Sequence, residues 1–213
     1  MLNYKIKKID NFLEDEDFKS LSNYAKNLSE NNKIDVYPNT IDKNNNILKL
    51  SIEKSLLIKI NSKYLPRAFD ILKELNPEKI KLFSYSDFSI IKTNKNSKFP
   101  IHDDTPNKLL SGVIYLYPEN NSGTVFYNSK SGDNKTCIDW KQNRAVFFSR
   151  KERETWHSYE GDRINDRVAL VYNLMTHEQN IKKVCEIENK NYLISNIRYK
   201  LNPYLFKIIN RVI

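Results

Sequence analysis

Hydrophobic and polar positions divide the chain into two differently patterned parts. Before Pro77, apolar residues recur with the spacing of one helix face. This spacing predicts a first helix around residues 18–28 and a second from Ser62 to Leu75, which ends because proline cannot continue it. Residues 31–47, which are rich in Asn, Asp and Lys, are expected to form a loop.

After Pro77, short runs of β-branched and aromatic residues alternate with turn-forming residues, a pattern typical of an antiparallel sandwich or barrel. The strands are expected at residues 81–92, 109–117, 124–128, 136–140, 145–149 and 167–174. Helical character returns after Thr176. The pattern therefore predicts an α+β protein with a main domain over residues 1–178, a β core over about residues 80–175, and a C-terminal helical extension over residues 179–213.

Composition limits the class of protein. The chain has 213 residues, of which 39% are hydrophobic and 29% charged, so we expect an ordered globular domain. No apolar run approaches the roughly 20 residues of a membrane-spanning helix. The N-terminus lacks the apolar segment of a signal peptide, and the two cysteines, Cys137 and Cys185, form no CxxC pair. These features predict a cytoplasmic protein.

The chain is basic, with 35 Lys and Arg against 26 Asp and Glu and a formal net charge of +9. Such an excess serves solubility or attracts an anionic partner. The sequence has no RNA-recognition, zinc-finger or helix-turn-helix motif. A non-catalytic basic binding module therefore stays open as an alternative function.

Three side chains form a candidate metal site. His102 and Asp104 lie just before the predicted strand at 109–117. Positions two apart on an extended chain share a face, whereas Asp103 should point the other way. His157, which follows the apolar run 145–149, could supply a third ligand from another strand. Two imidazoles and one carboxylate on one face are the ligand pattern of non-haem Fe(II) oxygenases.

Arg167 is a candidate anion-binding residue. It lies ten positions after His157 and opens the last predicted strand. An arginine that points into a barrel would be a costly buried cation unless an anion met it. A dicarboxylate with one end on the metal and the other on the guanidinium would be such an anion.

These residues resemble those of the 2-oxoglutarate- and Fe(II)-dependent oxygenases, especially the prolyl-hydroxylase-like branch. The similar region extends from Ile6 to Met175. His102-Asp103-Asp104 is similar to the family's His-x-Asp motif, and residues 143–160 resemble its distal-histidine strand pair. Arg167 resembles the residue that binds the C5 carboxylate of 2-oxoglutarate. The resemblance implies a double-stranded β-helix (jelly-roll) core that uses Fe(II), 2-oxoglutarate and O2 and releases succinate and CO2.

The resemblance also suggests a role for Tyr115, which is similar in position to a tyrosine that hydrogen-bonds the co-substrate in some members. An aromatic residue of a core strand would have the same pattern. Ala169 stands where some branches carry a Ser or Thr, which leaves room for Tyr115 to contribute. The polar segments 87–100 and 129–135 are candidate substrate lids.

The function implied is that of a dioxygenase, an oxidoreductase that hydroxylates a peptidyl side chain such as proline or a small metabolite. His102, Asp104 and His157 would be metal ligands, and no side chain would be needed as a general acid or base. Two alternatives stay open: a cupin-like metalloenzyme that does not use 2-oxoglutarate, and the basic binding module. The substrate and the oligomeric state do not follow from the sequence.

Overall fold

The computed structural model describes residues 1–29 and 33–201. Its helices are α1 (Asp15–Lys26), α2 (Lys54–Leu75) and α3 (Ile181–Glu188), with 3₁₀ turns at Pro77–Leu82 and Glu178–Asn180. Residues 192–201 are also helical and are called the C-terminal helix below. None of the helices in the described ranges has both the length and the apolar character needed to cross a membrane.

The same described ranges contain fourteen strands, and every strand pairing is antiparallel. They are β1 (Lys7–Ile9), β2 (Ile34–Tyr37), β3 (Thr40–Asp42), β4 (Ile47–Lys49), β5 (Tyr85–Asp87), β6 (Ile90–Thr93), β7 (Lys98–His102), β8 (Lys108–Tyr117), β9 (Thr124–Tyr127), β10 (Thr136–Ile138), β11 (Ala145–Phe148), β12 (Trp156–Glu160), β13 (Arg167–Val171) and β14 (Asn173–Met175).

Two sheets result from these pairings. The ten-stranded large sheet has the order β2-β6-β13-β8-β14-β5-β3-β4, with β11 joined to β8 and β1 joined to β11. The four-stranded small sheet has the order β10-β9-β12-β7. The prediction of an α+β protein with helices and antiparallel sheets is therefore confirmed.

Side-chain alternation along the central strands separates the molecule into layers. Ile114 of β8 and Phe147 of β11 are buried in the main core cluster, which also contains the apolar faces of α1 and α2. The residues beside them, Tyr115 and Val146, belong to a second cluster with Phe126 of the small sheet. The large sheet thus lies between the helices on one face and the small sheet on the other.

The second helix is longer than the sequence pattern predicts, since α2 begins at Lys54 rather than at Ser62. Leu57 and Ile60 extend its buried face by two turns, and Pro66 lies inside the helix. The C-terminal part also packs on the main core, because Val184 of α3 is a buried member of the main cluster. The domain boundary at residue 178 stays a prediction, and residues 202–213 of the predicted extension lie outside the described residues.

Two segments predicted as loops contain strands. Residues 34–37 form β2, which pairs along its whole length with β6 at residues 90–93. This pairing joins segments more than 50 residues apart, so the local composition does not show it. Residues 98–102 form β7 although Pro100 lies within it, because β7 is an edge strand of the small sheet and the proline's missing N–H costs no ladder bond there.

A buried carboxylate fixes α1 against α2. Asp17 is fully buried, and its oxygens lie 2.8 Å from Lys59 Nζ and 2.7 Å from Lys63 Nζ. The Tyr64 hydroxyl also donates a hydrogen bond to it at 2.7 Å. Burial by itself raises the pKa of Asp17, but these three donors outweigh that effect and lower the pKa to about 2. The ionised carboxylate therefore stabilises the folded state at neutral pH.

We expect Asp17→Asn to lower the free energy of unfolding by about 2 kcal/mol at pH 7, because two lysines lose their buried partner. The folded-state pKa lies below the ordinary value of 3.8, so this contribution is present above pH 4 and is lost as the pH falls towards 2. Urea unfolding at several pH values measures it. Asp15→Asn, on the same helix turn but exposed, is the matched control. The assignment would be contradicted if both variants lost the same free energy of unfolding, or if the difference between Asp17→Asn and the wild type did not change with pH.

Candidate metal centre

A cavity of about 320 Å³ lies between the large and the small sheet. All four residues that the sequence analysis placed at the metal and anion sites line it, namely His102, Asp104, His157 and Arg167. Part of the wall is apolar and is formed by Ile34, Val36, Ile91, Phe99, Val113 and Val171. The cavity therefore combines a polar ligand cluster with an apolar wall, as small-molecule and peptide sites do.

Strand pairing brings the two histidines together. His102 ends β7 and lies directly opposite His157 of β12 in the strand register. The centroids of the two imidazole rings are 4.3 Å apart. Asp104 follows two residues after His102, and one potential ligand atom from each of the three side chains lies within 4.8 Å of the others. The three side chains are therefore close enough that they could hold a single metal ion.

Backbone carbonyls fix the protonation of both rings. His102 Nδ1 lies 2.9 Å from the carbonyl oxygen of Pro100, and His157 Nδ1 lies 3.1 Å from that of Thr155. Because a carbonyl oxygen only accepts, each Nδ1 must carry the proton. In the neutral form of each ring, Nε2 is then the nitrogen with a free lone pair, which is the tautomer that a metal-binding histidine requires.

The charge states also fit a divalent metal. Burial raises the pKa of Asp104, but Lys108 and the two histidines outweigh it and hold this pKa well below its usual range. Lys108 Nζ donates to Asp104 at 2.7 Å, and Ser111 Oγ donates at 2.6 Å. Burial and the neighbouring His102 lower the pKa of His157 to about 4. A carboxylate and a neutral imidazole are therefore present at neutral pH.

Arg167 is a buried cation for which the described part of the chain supplies no carboxylate partner. The residue is 8% exposed, and its Nε is buried with no hydrogen-bond partner among the described residues. Its guanidinium carbon lies 4.0 Å from the ring centroid of Tyr159 and 5.4 Å from those of Tyr115 and Trp140. Burial lowers the pKa of Arg167, which the two tyrosines partly offset. An anion in the cavity would supply the missing partner.

Tyr115 lies beside this arginine but in the core. Its hydroxyl donates to Thr124 Oγ1 at 2.9 Å and accepts from the Thr124 N–H at 3.0 Å. Its ring stacks on Trp140 with the centroids 4.4 Å apart. Thr124 lines the cavity, so Tyr115 is connected to the cavity by its hydrogen bonds with this threonine. Direct contact between Tyr115 and a co-substrate stays a prediction.

Sequence reasoning did not identify Lys108, Ser111 and Thr124 as cavity residues. Lys108 and Ser111 lie at the start of β8, an otherwise apolar strand, and this break in the apolar pattern was the signal available. Thr124 opens β9 and gave no comparable signal.

Neither a known family profile nor a curated protein sequence matches the chain. Solved structures do match. A Pseudomonas putida prolyl-4-hydroxylase has a TM-score of 0.56 and 11% identity, over 82% of this chain and 94% of that one. A Burkholderia pseudomallei oxidoreductase of the 2OG-Fe(II) oxygenase family has a TM-score of 0.57 and 16% identity, over 81% and 84%.

A third structure is a Trichoplax adhaerens prolyl hydroxylase in complex with a peptide fragment of the hypoxia inducible factor oxygen degradation domain. It has a TM-score of 0.55 and 15% identity, over 85% of this chain and 87% of that one. The chain therefore has the fold of the 2-oxoglutarate- and Fe(II)-dependent oxygenases. Prolyl hydroxylases are among these neighbours, so the fold agrees with the resemblance that the sequence suggested.

We expect one Co(II), used as an air-stable substitute for Fe(II), to bind per chain. His157→Ala and Asp104→Ala should each weaken this binding by at least about 100-fold, since each removes a ligand rather than a hydrogen-bond partner of one. Isothermal titration calorimetry measures the affinity, and circular dichroism checks that the variants fold. His177→Ala replaces the third histidine of the chain, which does not line the cavity, and should bind like the wild type. Unchanged affinity in His157→Ala would remove the assignment.

Proposed function

We propose that this protein is an Fe(II)- and 2-oxoglutarate-dependent dioxygenase that hydroxylates a C–H bond of its substrate. One observation carries the proposal: one ligand atom from each of two imidazoles and a carboxylate lies within 4.8 Å of the others, in a cavity that also contains a buried arginine with no carboxylate partner among the described residues. The first group fits a metal, and the second fits an anion. A dicarboxylate co-substrate that reaches both explains why they share one cavity.

The fold supports the finer parts of this proposal. The small sheet faces the β8–β11 region of the large sheet across the cluster of Tyr115, Phe126, Val146 and Phe148. This arrangement supports a double-stranded β-helix core within an oxygenase domain of residues 1–178, with the helices on the outer face of the large sheet. The cytoplasmic location stays part of the proposal and rests on the sequence.

His102, Asp104 and His157 would hold a divalent iron. Iron bound there, together with 2-oxoglutarate and O2, supplies the oxidising chemistry, with succinate and CO2 as co-products. The chain holds the ligands ready for this role. The carbonyl groups of Pro100 and Thr155 keep each Nδ1 protonated, and Ser111 fixes one oxygen of the Asp104 carboxylate. These contacts orient each imidazole and the carboxylate before a metal binds, so the site is organised in advance.

Arg167 would receive the far carboxylate of 2-oxoglutarate. Three aromatic rings surround its guanidinium and restrict where the group can lie, while its buried Nε has no hydrogen-bond partner among the described residues. A planar guanidinium can bind a carboxylate through two parallel hydrogen bonds. Arg167 therefore orients the co-substrate, and the ring of Tyr159, 4.0 Å from it, shields the pair from water.

The substrate is proposed to be a peptidyl side chain such as proline, with a small metabolite as the alternative. Prolyl hydroxylases are among the structural neighbours, and one of them was solved with a peptide. The apolar cavity wall of Ile34, Val36, Ile91 and Phe99 supports a substrate with an apolar part, and Val36 is 46% exposed at this wall. No side chain is required as a general acid or base.

We expect Arg167→Ala to raise the KM for 2-oxoglutarate by about 10- to 100-fold, because one charge-assisted interaction is worth about 1.5–3 kcal/mol. Arg167→Lys should recover part of this loss, since it keeps the charge but not the planar fork. The KM of both variants is measured from succinate formation at varied 2-oxoglutarate, with saturating iron and O2 and a panel of proline-containing peptides and metabolites. Arg163→Ala, an exposed arginine four positions earlier, is the control.

The same assay separates the alternatives. Iron binding without succinate formation from any 2-oxoglutarate concentration or substrate would favour a cupin-like metalloenzyme. A chain that binds no iron but holds an anionic polymer, with an affinity that falls steeply with salt, would favour the basic binding module. An unchanged KM in Arg167→Ala would contradict the role given to this arginine.

A further inference from the structure

A buried ionic network connects the C-terminal helices to the β core. The Glu188 carboxylate at the end of α3 accepts hydrogen bonds from Lys79 Nζ at 2.7 Å, from Arg150 at 2.6 Å and from the Glu152 N–H at 3.0 Å. Lys79 and Arg150 are fully buried, and the two glutamates are each 3% exposed. Charges buried this deeply have well-defined positions, because leaving any one of them unpaired is costly.

The network ends on the segment that carries two of the candidate metal ligands. Arg150 Nε donates to the backbone oxygen of Asp104 at 3.1 Å. The Asp103 carboxylate accepts from Arg198 at 2.6 Å and from the Arg153 N–H at 2.9 Å. The other amino group of Arg198 donates to Glu152. Arg198 of the C-terminal helix therefore bridges the ionic network and the residue that lies between His102 and Asp104.

Strand pairing does not position this segment. The ladder between β7 and β12 ends at His102, and β7 has no second neighbour in the small sheet. Asp103 and Asp104 lie beyond the ladder. There Arg150 holds the backbone oxygen of Asp104, and the Arg153 N–H and the Arg198 side chain hold the Asp103 carboxylate. A metal site requires its donors to stay within about 0.5 Å of the productive geometry, so such supports matter.

Arg198 contributes less to the overall stability than to this local geometry. Its side chain is 34% exposed, whereas those of Asp103 and Glu152 are 3% and 4% exposed, so the cost of removing Arg198 depends on the donors that these carboxylates keep. Both of its carboxylate partners keep another donor when it is removed: Asp103 keeps the Arg153 N–H, and Glu152 keeps the Ser195 hydroxyl. Its substitution should therefore leave a folded protein with a displaced ligand segment.

We infer that Arg198 is a positioning residue for the metal centre: acting through Asp103, it holds the segment between His102 and Asp104 in the geometry that binds metal. This inference rests on the proposed function, because it needs a metal at that site. It also makes the C-terminal helix part of the catalytic domain's active-site support, although the helix lines no part of the cavity.

The test compares Arg198→Ala and Arg198→Lys with Lys200→Ala, an exposed residue of the same helix whose carboxylate neighbour, Glu178, is 3.9 Å away. Co(II) affinity by calorimetry and the melting temperature are measured for each. We expect Arg198→Ala to weaken Co(II) binding about 10- to 100-fold, the range for losing a support of a ligand, and Arg198→Lys to recover part of it. The melting temperature should fall by only a few degrees.

A double-mutant cycle makes the test specific. Asp103→Asn should weaken Co(II) binding to a similar extent. Adding Arg198→Ala to it should lower the Co(II) affinity little further, because both substitutions break the same contact between Arg198 and Asp103. If Arg198→Ala binds Co(II) as tightly as Lys200→Ala does, whether or not its melting temperature falls, the inference is overturned and the proposed function stays intact. Wild-type protein that binds no Co(II) would overturn the proposed function and, with it, this inference.

Discussion

A buried arginine that meets no carboxylate in the described ranges is the constraint on which the rest of the site depends. Taking a guanidinium out of water costs several kcal/mol, and the three rings around Arg167 offset only part of that cost. Binding of an anionic ligand would offset this desolvation free energy. The candidate metal ligands lie in the same cavity, so the proposed function assigns both features to one dianion rather than to two separate sites.

The scaffold separates apolar packing from this polar chemistry by strand alternation alone. On β13, Val168 and Leu170 pack into the main core on the helix side, whereas Arg167 and Val171 line the cavity. On the small sheet, the register of β7 against β12 places His102 opposite His157. Arg167 therefore lies on a strand whose alternate residues, Val168 and Leu170, are packed in the core.

The candidate site was more predictable than the fold that carries it. His102 and Asp104 share a face by simple alternation, and Arg167 opens a strongly apolar strand, so local pattern was enough to select them. The strands β2 and β7 were missed, because their formation depends on partners far along the chain and on an edge position that tolerates Pro100. Arg198 was missed for the same reason, since it contacts Asp103 across 95 positions of sequence.

The most direct measurement is a crystal structure of the protein grown without O2 in the presence of Mn(II) and 2-oxoglutarate, with anomalous diffraction to locate the metal. We expect one anomalous peak bonded to His102, Asp104 and His157, with 2-oxoglutarate extending from the metal to the Arg167 guanidinium. An anomalous peak elsewhere, or 2-oxoglutarate whose far carboxylate does not meet Arg167, would contradict the assignment of this cavity.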